Sequence, residues 1–377
     1  RRLKVWYRKD EASEFALVGK LKADDEKSRY WSVVQIVSGS DKGYVLEEGE
    51  SGRVGVRLFD YATGTPLETF YEHPERDVEE LWLKDDGTPY TVFTPYSRKW
   101  RSHFTPEHIL PYPTPRGGWN AGDAPYAMPT LEEMGFKAQD RSVPHRDIPL
   151  AVLDAYESKR NFPALPNGTT RLGVHLRFGT ISIRSLARAA YPDHTKFLTE
   201  LIWRDFYQMI LKHFPESPKK AIKPAYDRIV WEANEDHFTA WCQGKTGYPL
   251  VDAGMRELNA TGFMHNRVRM VVASFLTKHL LLDWRLGEAY FAAKLMDFDL
   301  ASNVGGWQWA SGSGCDAAPY FRIFNPASQL EKFDKDLRYV RKWVPEYGTA
   351  HYPKPIVDHK EARERCLLRY KEGLASA

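Results

Sequence analysis

Residues 297–326 read DFDLASNVGGWQWASGSGCDAAPYFRIFNP, a composition unlike that of a packing segment. A core helix would show apolar residues at a spacing of 3.6, and a strand would alternate apolar and polar residues. Here polar groups that could hold a ligand stand between large aromatic surfaces, so the stretch predicts a ligand site. The residues in question are two carboxylates, an amide, a glycine pair and two tryptophans: Asp297, Asp299, Asn303, Gly305, Gly306, Trp307 and Trp309.

The size and composition of the chain predict a soluble protein of two domains. A length of 377 residues exceeds what one ordinary core organises, and 42% hydrophobic with 27% charged residues is typical of globular proteins. Aromatic residues make up 14%, including twelve Trp. They either stack on ligands or fill a large helical core, and composition alone favours the core. A net charge of +3 confines any nucleic-acid surface to a local basic patch.

The cysteines and the apolar runs indicate the compartment. Three cysteines without CxxC spacing, Cys242, Cys315 and Cys366, favour a reducing environment and no metal site. No apolar run approaches the length of a membrane span, and the opening RRLKVWYRKD lacks the apolar core of a signal peptide. We expect a cytoplasmic, monomeric protein that needs neither a membrane nor a metal.

The expected fold class is α/β plus all-α. Residues 1–84 contain short segments such as WSVVQIVSG and GRVGVRLFDY between turn residues, which predict the strands of a reduced β-rich or α/β unit. The Pro- and Gly-rich stretch 101–145 is expected to be a linker. Helical periodicity dominates after it. We predict an N-terminal domain over 1–100, the linker, and a helical domain over 146–377 with helices at 151–159, 182–190, 195–213, 251–260, 266–282 and 287–296.

Two threonines precede a helical pattern in the stretch FPALPNGTTRLGVHLRFG. Thr169 and Thr170 follow a turn at Asn167 and Gly168. Hydroxyl and backbone N–H groups at the start of a helix favour an anion, because the helix dipole is positive there. A helix cap without any ligand explains the same residues, and on this stretch alone the plain cap is favoured.

The segment ELIWRDFYQMI places three functional side chains on one helical face. Glu200, Trp203 and Arg204 stand at positions i, i+3 and i+4. They could hold a ligand with a carboxylate, an indole and a guanidinium. An amphipathic helix with a surface ion pair and a buried tryptophan is the simpler explanation of the pattern by itself.

The segment NRVRMVVASF has a more unusual face. Asn266, Arg269, Met270 and Ala273 form one narrow stripe of a helix. A helix buried in a core seldom has an Asn and an Arg on such a stripe. A binding role is therefore favoured over packing here.

The two carboxylates of the opening stretch could be read as a general acid and base. Asp297 and Asp299 have no metal-ligand companions at suitable spacing. Hydroxyl-bearing ligands and an arginine explain them better than acid–base chemistry does. We expect both to lie near the end of a helix that begins after Gly287.

From about Asp86 to its end, the chain resembles the photolyase/cryptochrome family, and within it the class I, microbial cyclobutane pyrimidine dimer DNA photolyases. The resemblance rests on the stretches quoted above and on DGTPYTVFTPYSRKW at 86–100. It fails over roughly the first eighty residues, where only KVWYRKD is similar to the family's opening strand. The resemblance therefore implies an antenna domain that is truncated or altered, and it leaves the antenna chromophore unknown.

The resemblance implies FAD, in the reduced form FADH⁻, as cofactor of the helical domain. By this resemblance Asn303 faces flavin N5, and Arg269 pairs with Asp297 near the ring. An amide can accept a hydrogen bond from a protonated N5, whereas plant-type cryptochromes have Asp there, so Asn suits a flavin kept fully reduced. The implied cofactor-binding residues are Tyr156, Thr169, Thr170, Arg171, Leu172, Gly173, Arg204, Arg269, Asp297, Asp299 and Asn303.

The resemblance also implies contacts with damaged DNA and a path for electrons. A flipped-out dimer would be held between Trp203 and Trp309. The residues implied to be catalytic are Glu200, Asn266, Met270 and Asn303. The implied DNA and lesion contacts are Arg160, Glu200, Trp203, Asn266, Arg267, Met270, Trp309, Gln329 and Lys332. The implied electron-transfer chain runs through Trp307, Trp284 and Trp231, the last at the surface.

The activity implied by the resemblance is light-driven repair of cyclobutane pyrimidine dimers in DNA, with an electron supplied by excited reduced FAD. The (6-4) photolyases need a histidine pair near position 265, and the single His265 argues for cyclobutane dimers. The alternative is a cryptochrome-like blue-light signalling flavoprotein without repair activity, which would have less reason to keep the lesion-contacting residues together. A flavin-free DNA-binding module is a third class, which flavin absorbance would exclude.

Overall fold

The computed structural model divides into two compact units, Arg1–Leu83 and Lys84–Ala377. The residues it describes are 2–7, 16–22, 31–36, 41–48, 54–63, 65–71, 84, 88–111, 128–137, 142–147, 150–317 and 319–375. Part of the linker expected over 101–145 lies outside the described residues. The boundary at Leu83 is earlier than the expected one at residue 100.

The described residues of the first unit form antiparallel strands, the β-rich one of the two arrangements expected. A two-stranded sheet pairs the first two strands, and the other four form a meander in chain order. Asp60 closes the last turn, since its carboxylate accepts hydrogen bonds from the backbone N–H groups of Ala62 and Thr63 at 2.9 and 3.1 Å. The strands are β1 (Arg2–Tyr7), β2 (Ala16–Lys22), β3 (Trp31–Ile36), β4 (Lys42–Glu48), β5 (Val54–Asp60) and β6 (Thr65–Tyr71).

The described part of the second unit is helical, as expected. A π-helical turn at Phe275–His279 follows α9, and 3-10 turns lie at Pro106–Ile109 and Pro224–Arg228. The α-helices are α1 (Phe93–His103), α2 (Leu150–Asp154), α3 (Tyr156–Lys159), α4 (Gly173–Phe178), α5 (Ile183–Ala190), α6 (Thr195–His213), α7 (Glu235–Gln243), α8 (Pro249–Thr261), α9 (Asn266–Ser274), α10 (Trp284–Lys294), α11 (Leu300–Ser311), α12 (Pro326–Phe333), α13 (Arg338–Trp343) and α14 (His359–Ala375).

Helices α8 to α11 enclose the core of the second unit, and Trp241, Trp284 and Trp307 are fully buried in it. Glycines let these helices approach one another closely. A Cβ atom on Gly254 of α8 would overlap the side chain of Val268 in α9, and one on Gly287 of α10 would overlap Trp307 of α11. The core therefore holds α11 in a fixed position against α10.

The carboxylates of the opening stretch do not lie where we expected them. Helix α10 ends at Lys294, so Asp297 belongs to the connection after it, and Asp299 is the N-cap of a separate helix, α11. The Asp299 carboxylate accepts a hydrogen bond from the backbone N–H of Ser302 at 2.9 Å, which satisfies a donor that the first turn leaves free. The helix predicted over 287–296 is observed as Trp284–Lys294, and the separate helix α11 with its cap at Asp299 was not predicted.

The start of the second unit packs on α6, which explains the earlier boundary. Helix α1 buries Phe93 and Tyr96. The Tyr96 hydroxyl and the Trp100 indole N–H both donate to the carboxylate of Asp205 in α6 at 3.0 Å. These contacts tie residues of the expected N-terminal domain to the helical one.

Among the helices of the described ranges, none is both long and apolar enough to cross a membrane. Within the same residues no group of three or more His, Cys, Asp or Glu side chains could hold a metal ion. The three cysteines are free thiols, and burial raises the pKa of each above its ordinary value.

Candidate active site

A cavity of about 540 Å³ lies between α6, α9 and α11 and is also lined by the connection from α10 to α11. Its walls combine charged, amide and aromatic side chains, the mixture typical of a site that orients a large polar ligand. Most of the sequence-predicted site residues meet there. The lining residues that had been predicted are Arg160, Glu200, Trp203, Arg204, Asn266, Arg267, Arg269, Met270, Asp297, Asp299, Asn303, Trp307 and Trp309.

An ion pair between Arg269 and Asp297 lines the cavity. Arg269 Nη2 lies 3.0 and 2.9 Å from the two carboxylate oxygens of Asp297, and Arg269 Nε donates to the carbonyl of Met264 at 2.7 Å. Helix α4 begins beside this pair, since a Cβ on Gly173 would lie 2.8 Å from Asp297 Oδ2. The pair is therefore held by three separate segments of the chain.

Asn303 presents an acceptor to the cavity. Its amide nitrogen donates to the backbone carbonyl and to the carboxylate of Glu288 at 3.1 and 2.9 Å. Burial raises the pKa of Glu288, against the opposing effect of the Asn303 hydrogen bond. With both amide hydrogens engaged, Asn303 Oδ1 is the atom that remains for a ligand, and it can only accept a hydrogen bond.

Asp299 has a structural role that the sequence reasoning missed. Besides capping α11, its carboxylate accepts from Gln208 Nε2 at 3.2 and 2.9 Å. The side chain thus ties α6 to the start of α11. Asp299 still lines the cavity, so contact with a ligand stays a prediction.

Two adjacent glycines in α11 have different surroundings. Glycine inside a helix is less favourable than alanine by about 0.5–1 kcal/mol. Gly305 has a packing reason, because a Cβ there would overlap the ring of Tyr207 in α6. Gly306 has none: a Cβ there would meet no atom within 4 Å, and the residue lines the cavity. The space beside Gly306 is what a flat ligand lying close to the helix backbone requires.

These surroundings predict opposite effects for two matched substitutions. Gly306→Ala is expected to stabilise the ligand-free protein by about 0.5–1 kcal/mol and to weaken flavin binding. Gly305→Ala is expected to destabilise the protein by about 1–3 kcal/mol through overpacking against Tyr207. Thermal unfolding and flavin titration of the ligand-free variants measure both effects. Unchanged flavin affinity in Gly306→Ala would contradict the close approach.

The aromatic walls of the cavity come from α6 and α11. Trp203 and Trp309 both line it and are partly exposed. The orientation of the two tryptophans of α11 could not be read from the sequence. Both line the cavity, but Trp307 is buried in the core, whereas Trp309 is partly exposed and its ring lies 6.3 Å from that of Phe324.

Phe93 supports Trp203 from behind and was not recognised in the sequence. The two rings are parallel within 5°, with centroids 3.7 Å apart. The backbone N–H of Phe93 also bonds the carboxylate of Asp316, and Asp316 N–H donates to the carbonyl of Thr91 at 3.0 Å. Asp316 lies just after α11, the helix that contains Trp309. The segment after α11 therefore binds the backbone beside the Phe93 ring that stacks on Trp203. The aromatic residues of VFTPY at 92–96, where α1 begins, are the sequence signal that could have indicated this contact.

Loss of the Phe93 ring is expected to loosen Trp203. An aromatic pair contributes about 0.5–1.5 kcal/mol, so Phe93→Leu is expected to weaken binding of dimer-containing DNA by about three- to tenfold. Phe93→Tyr keeps the stacked ring and serves as the control. Filter binding with damaged and undamaged oligonucleotides measures the effect. An equal loss for undamaged DNA would indicate a general disturbance and not a role behind Trp203.

The three tryptophans of the expected electron chain belong to one hydrophobic cluster. Trp307 lines the cavity and is 2% exposed, Trp284 is 1% exposed, and Trp231 packs at the edge of the cluster, partly exposed. Trp307 rests on Gly287, which lies one helical turn after Trp284 in α10. The cluster therefore leads from the cavity toward the surface, as a chain of electron donors would require.

Two of the cations predicted to contact DNA line the cavity, and a third lies near one of them. Arg160 forms an ion pair with Glu200, and Arg267 donates to Asn161 Oδ1 at 2.8 Å. The Arg267 guanidinium lies 4.5 Å from the ring centre of Phe333, and the amine of the exposed Lys332 lies 5.4 Å from the same ring. Of these predicted DNA contacts, Lys332 lies outside the cavity lining, and so does Gln329 on α12.

Several predicted cofactor residues do not line the cavity. Tyr156 packs edge-on against Phe197 at 5.2 Å. Thr169 and Thr170 precede α4, whose N-cap is Leu172, so neither threonine is the cap that the sequence suggested. Arg171 lies over the ring of Phe263 at 4.5 Å beside a smaller second cavity. Contact of this segment with a cofactor stays a prediction.

Comparison with known proteins links this geometry to one group. Residues 197–351 match the family described as the FAD binding domain of DNA photolyase. The chain is 38% identical over 356 residues to a deoxyribodipyrimidine photo-lyase of Alkalihalophilus pseudofirmus, covering 81% of this chain and 72% of that protein. It is 40% identical to the Escherichia coli enzyme of the same name, covering 75% and 68%.

The chain spans a smaller part of other relatives and is similar to solved structures. It covers 57% of a deoxyribodipyrimidine photo-lyase of Neurospora crassa at 39% identity, and 77% of this chain is matched. A bacterial class III photolyase from Agrobacterium tumefaciens superimposes with a TM-score of 0.71 at 38% identity, covering 79% of this chain and 72% of that one. An archaeal photolyase from Sulfolobus tokodaii with two FAD molecules gives 0.55 at 42%, covering 59% and 55%.

Proposed function

The chain belongs to the photolyase/cryptochrome family, and on that premise we propose that it repairs cyclobutane pyrimidine dimers in DNA with light, using reduced FAD. The observation that supports this most is the convergence of three features on one cavity. An arginine–carboxylate pair and an amide acceptor line it, and so do the buried Trp307 and the partly exposed Trp203 and Trp309.

The residues of the cavity fit FAD. Asn303 Oδ1, the Arg269–Asp297 pair and the open space beside Gly306 would hold the flavin ring. An acceptor at Asn303 suits a ring nitrogen that has a proton, which is the reduced form. When bound and excited by light, the cofactor supplies the electron that splits the dimer.

The protein holds the dimer outside the duplex. A base inside a helix of DNA cannot reach a buried cofactor, so the dimer must flip out at a cost of a few kcal/mol. Trp203 and Trp309 would offset that cost by stacking, at about 1–3 kcal/mol for each base. Glu200, Asn266 and Met270 line the cavity where they would contact the edges of the dimer.

Phosphate contacts would supply the remaining affinity for DNA. Arg160 and Arg267 line the cavity, and Lys332 lies over the same Phe333 ring as Arg267, although the chain has a net charge of only +3. Such contacts are independent of sequence and weaken with salt. We further propose the class I type, with residues 1–100 as an altered N-terminal domain and 101–145 as a linker, and repair itself needs no antenna chromophore.

The test is repair of a thymine dimer in an oligonucleotide. Protein with chemically reduced flavin is expected to restore the thymines under blue light and to leave the dimer intact in the dark. Catalysis in the dark would reject the light-driven mechanism. Flavin binding without repair would reject the proposed activity.

A further inference from the structure

A second, smaller cavity of about 250 Å³ lies between α8, α13 and the segment that joins α3 to α4. Among the residues that the structure describes, none lines both cavities. The joining segment contributes to each, with Asn161 in the first cavity and Pro163 in the second. Pockets for drug-sized ligands have volumes of about 300–1,000 Å³, so the second cavity fits a compound much smaller than FAD.

Positive charge predominates around the second cavity. Its charged lining residues in the described part of the chain are three cations and one carboxylate: Arg171, Arg338, Lys342 and Glu257. Arg338 and Lys342 are exposed and lie about one helical turn apart on the same face of α13. Within the described ranges neither of them forms an ion pair. Guanidinium and ammonium groups without a carboxylate partner attract an anion, and phosphate oxygens suit both groups.

Glu257 is a buried acceptor in this lining, and one of its oxygens lacks a hydrogen bond. The residue is 4% exposed, and Oε2 accepts from the Tyr339 hydroxyl at 2.6 Å and from the backbone N–H of His265 at 3.4 Å. Oε1 accepts no hydrogen bond from a described residue, and Arg171 Nη2 at 4.0 Å is too far away to donate one. Burial raises the pKa of Glu257 above its ordinary value. A further donor at Oε1 would therefore stabilise the ionised carboxylate.

Trp343 adds a flat apolar surface to the second cavity. The residue lines the cavity, is partly exposed, and has no aromatic partner in the part of the chain that the structure describes. The Lys342 ammonium lies 4.9 Å from the centre of its ring, so a cation stands beside this surface. Every nucleobase has a flat face that can stack on such a ring. The cavity therefore combines a stacking surface, an acceptor for an N–H group and cations for a phosphate.

We propose that the second cavity binds a nucleoside monophosphate, free or as part of a DNA strand. The base stacks on Trp343 and donates an N–H to Glu257. The phosphate lies at Arg338 and Lys342. This site goes beyond the proposed function, which places the flavin and the lesion in the first cavity. The AMP half of FAD has the same chemistry, so the experiment must separate the cofactor from a second ligand.

Calorimetric titration of the FAD-loaded protein with AMP and with adenosine tests the site. Loading with FAD fills the flavin site first, so that AMP cannot bind in place of the cofactor. We expect Lys342→Gln to weaken AMP binding by about tenfold and to leave adenosine binding unchanged, because adenosine has no phosphate. Glu257→Gln, which keeps an acceptor for Tyr339, is expected to weaken the binding of both ligands. Arg341→Gln is the matched control, since Arg341 is an exposed cation of α13 outside the cavity lining.

Three outcomes would overturn the assignment. Binding of AMP by the FAD-free protein alone would assign the cavity to the cofactor, and absence of AMP binding in both forms would reject a nucleotide site. An equal loss in Arg341→Gln would show only a general effect of charge. Thermal unfolding verifies that each variant is folded.

Titration with an undamaged oligonucleotide identifies the source of the nucleotide. If Lys342→Gln weakens DNA binding and AMP competes with the oligonucleotide, the cavity takes a nucleotide of the DNA strand. If Lys342→Gln weakens AMP binding and leaves DNA binding unchanged, the cavity takes a free nucleotide. Either result supports the site.

Discussion

Trp307→Phe is expected to abolish photoreduction of the oxidised flavin while leaving repair by the chemically reduced protein close to normal. Trp307 lines the cavity and is buried against Gly287 and Phe291, so its indole is the nearest member of the expected chain to the flavin. A phenyl ring is harder to oxidise than an indole. If the difference exceeds about 3 kcal/mol, electron transfer slows by at least about 100-fold.

Bleaching of the flavin absorbance under blue light, without oxygen and with an external reductant, measures this effect. Trp241→Phe is the matched control, because Trp241 is equally buried and its ring lies 6.1 Å from that of Trp307, but it does not belong to the expected chain. Both substitutions replace a buried indole by a phenyl ring, so they remove the same side-chain volume from the core. Photoreduction that survived in Trp307→Phe, or that failed equally in Trp241→Phe, would disprove the assigned chain.

Trp203→Ala is expected to weaken binding of dimer-containing DNA by about 10- to 100-fold, since stacking on an aromatic side chain contributes about 1–3 kcal/mol per base. Binding of undamaged DNA should change little, because phosphate contacts supply it. The purified variant should retain its flavin. Trp203 is partly exposed on the cavity wall and stacks on Phe93 with its other face, so one face is available for a base.

Competition binding with damaged and undamaged oligonucleotides measures the Trp203 effect, and the flavin-to-protein absorbance ratio reports cofactor content. Trp203→Phe keeps a flat ring in the same place and should recover most of the affinity. Loss of flavin from Trp203→Ala would mean that the indole contacts the cofactor and not the lesion. In that case Trp309 alone would be expected to stack on the lesion.

Local patterns in the sequence predicted much of the helical unit. Helix α6 begins and ends at Thr195 and His213 as predicted, because apolar side chains recur along it at the helical period. The same period placed Glu200 and Trp203 on one face, and both line the cavity. The family was also recognisable from short motifs, since a cofactor requires particular side chains at fixed spacing. The match with the FAD binding domain of DNA photolyase bears this out.

Contacts between distant segments were not predictable in this way. The link from Asp299 to Gln208, the different burial of Trp307 and Trp309, and the stacking of Phe93 on Trp203 all depend on which helices meet in the fold. The spacing of residues within one segment does not indicate which other helix that segment will contact. The boundary of the helical unit was misplaced for the same reason, because α1 is assigned by its contacts with Asp205.

The sequence by itself determined the family, the helical architecture and the residue types of the cavity. Tertiary structure alone decided which atoms of those residues are available to a ligand. Asn303 can only accept because Glu288 engages its amide nitrogen. The physical reason is that hydrogen-bonding capacity is finite, so a side chain's function is set by the partners that the fold has already given it.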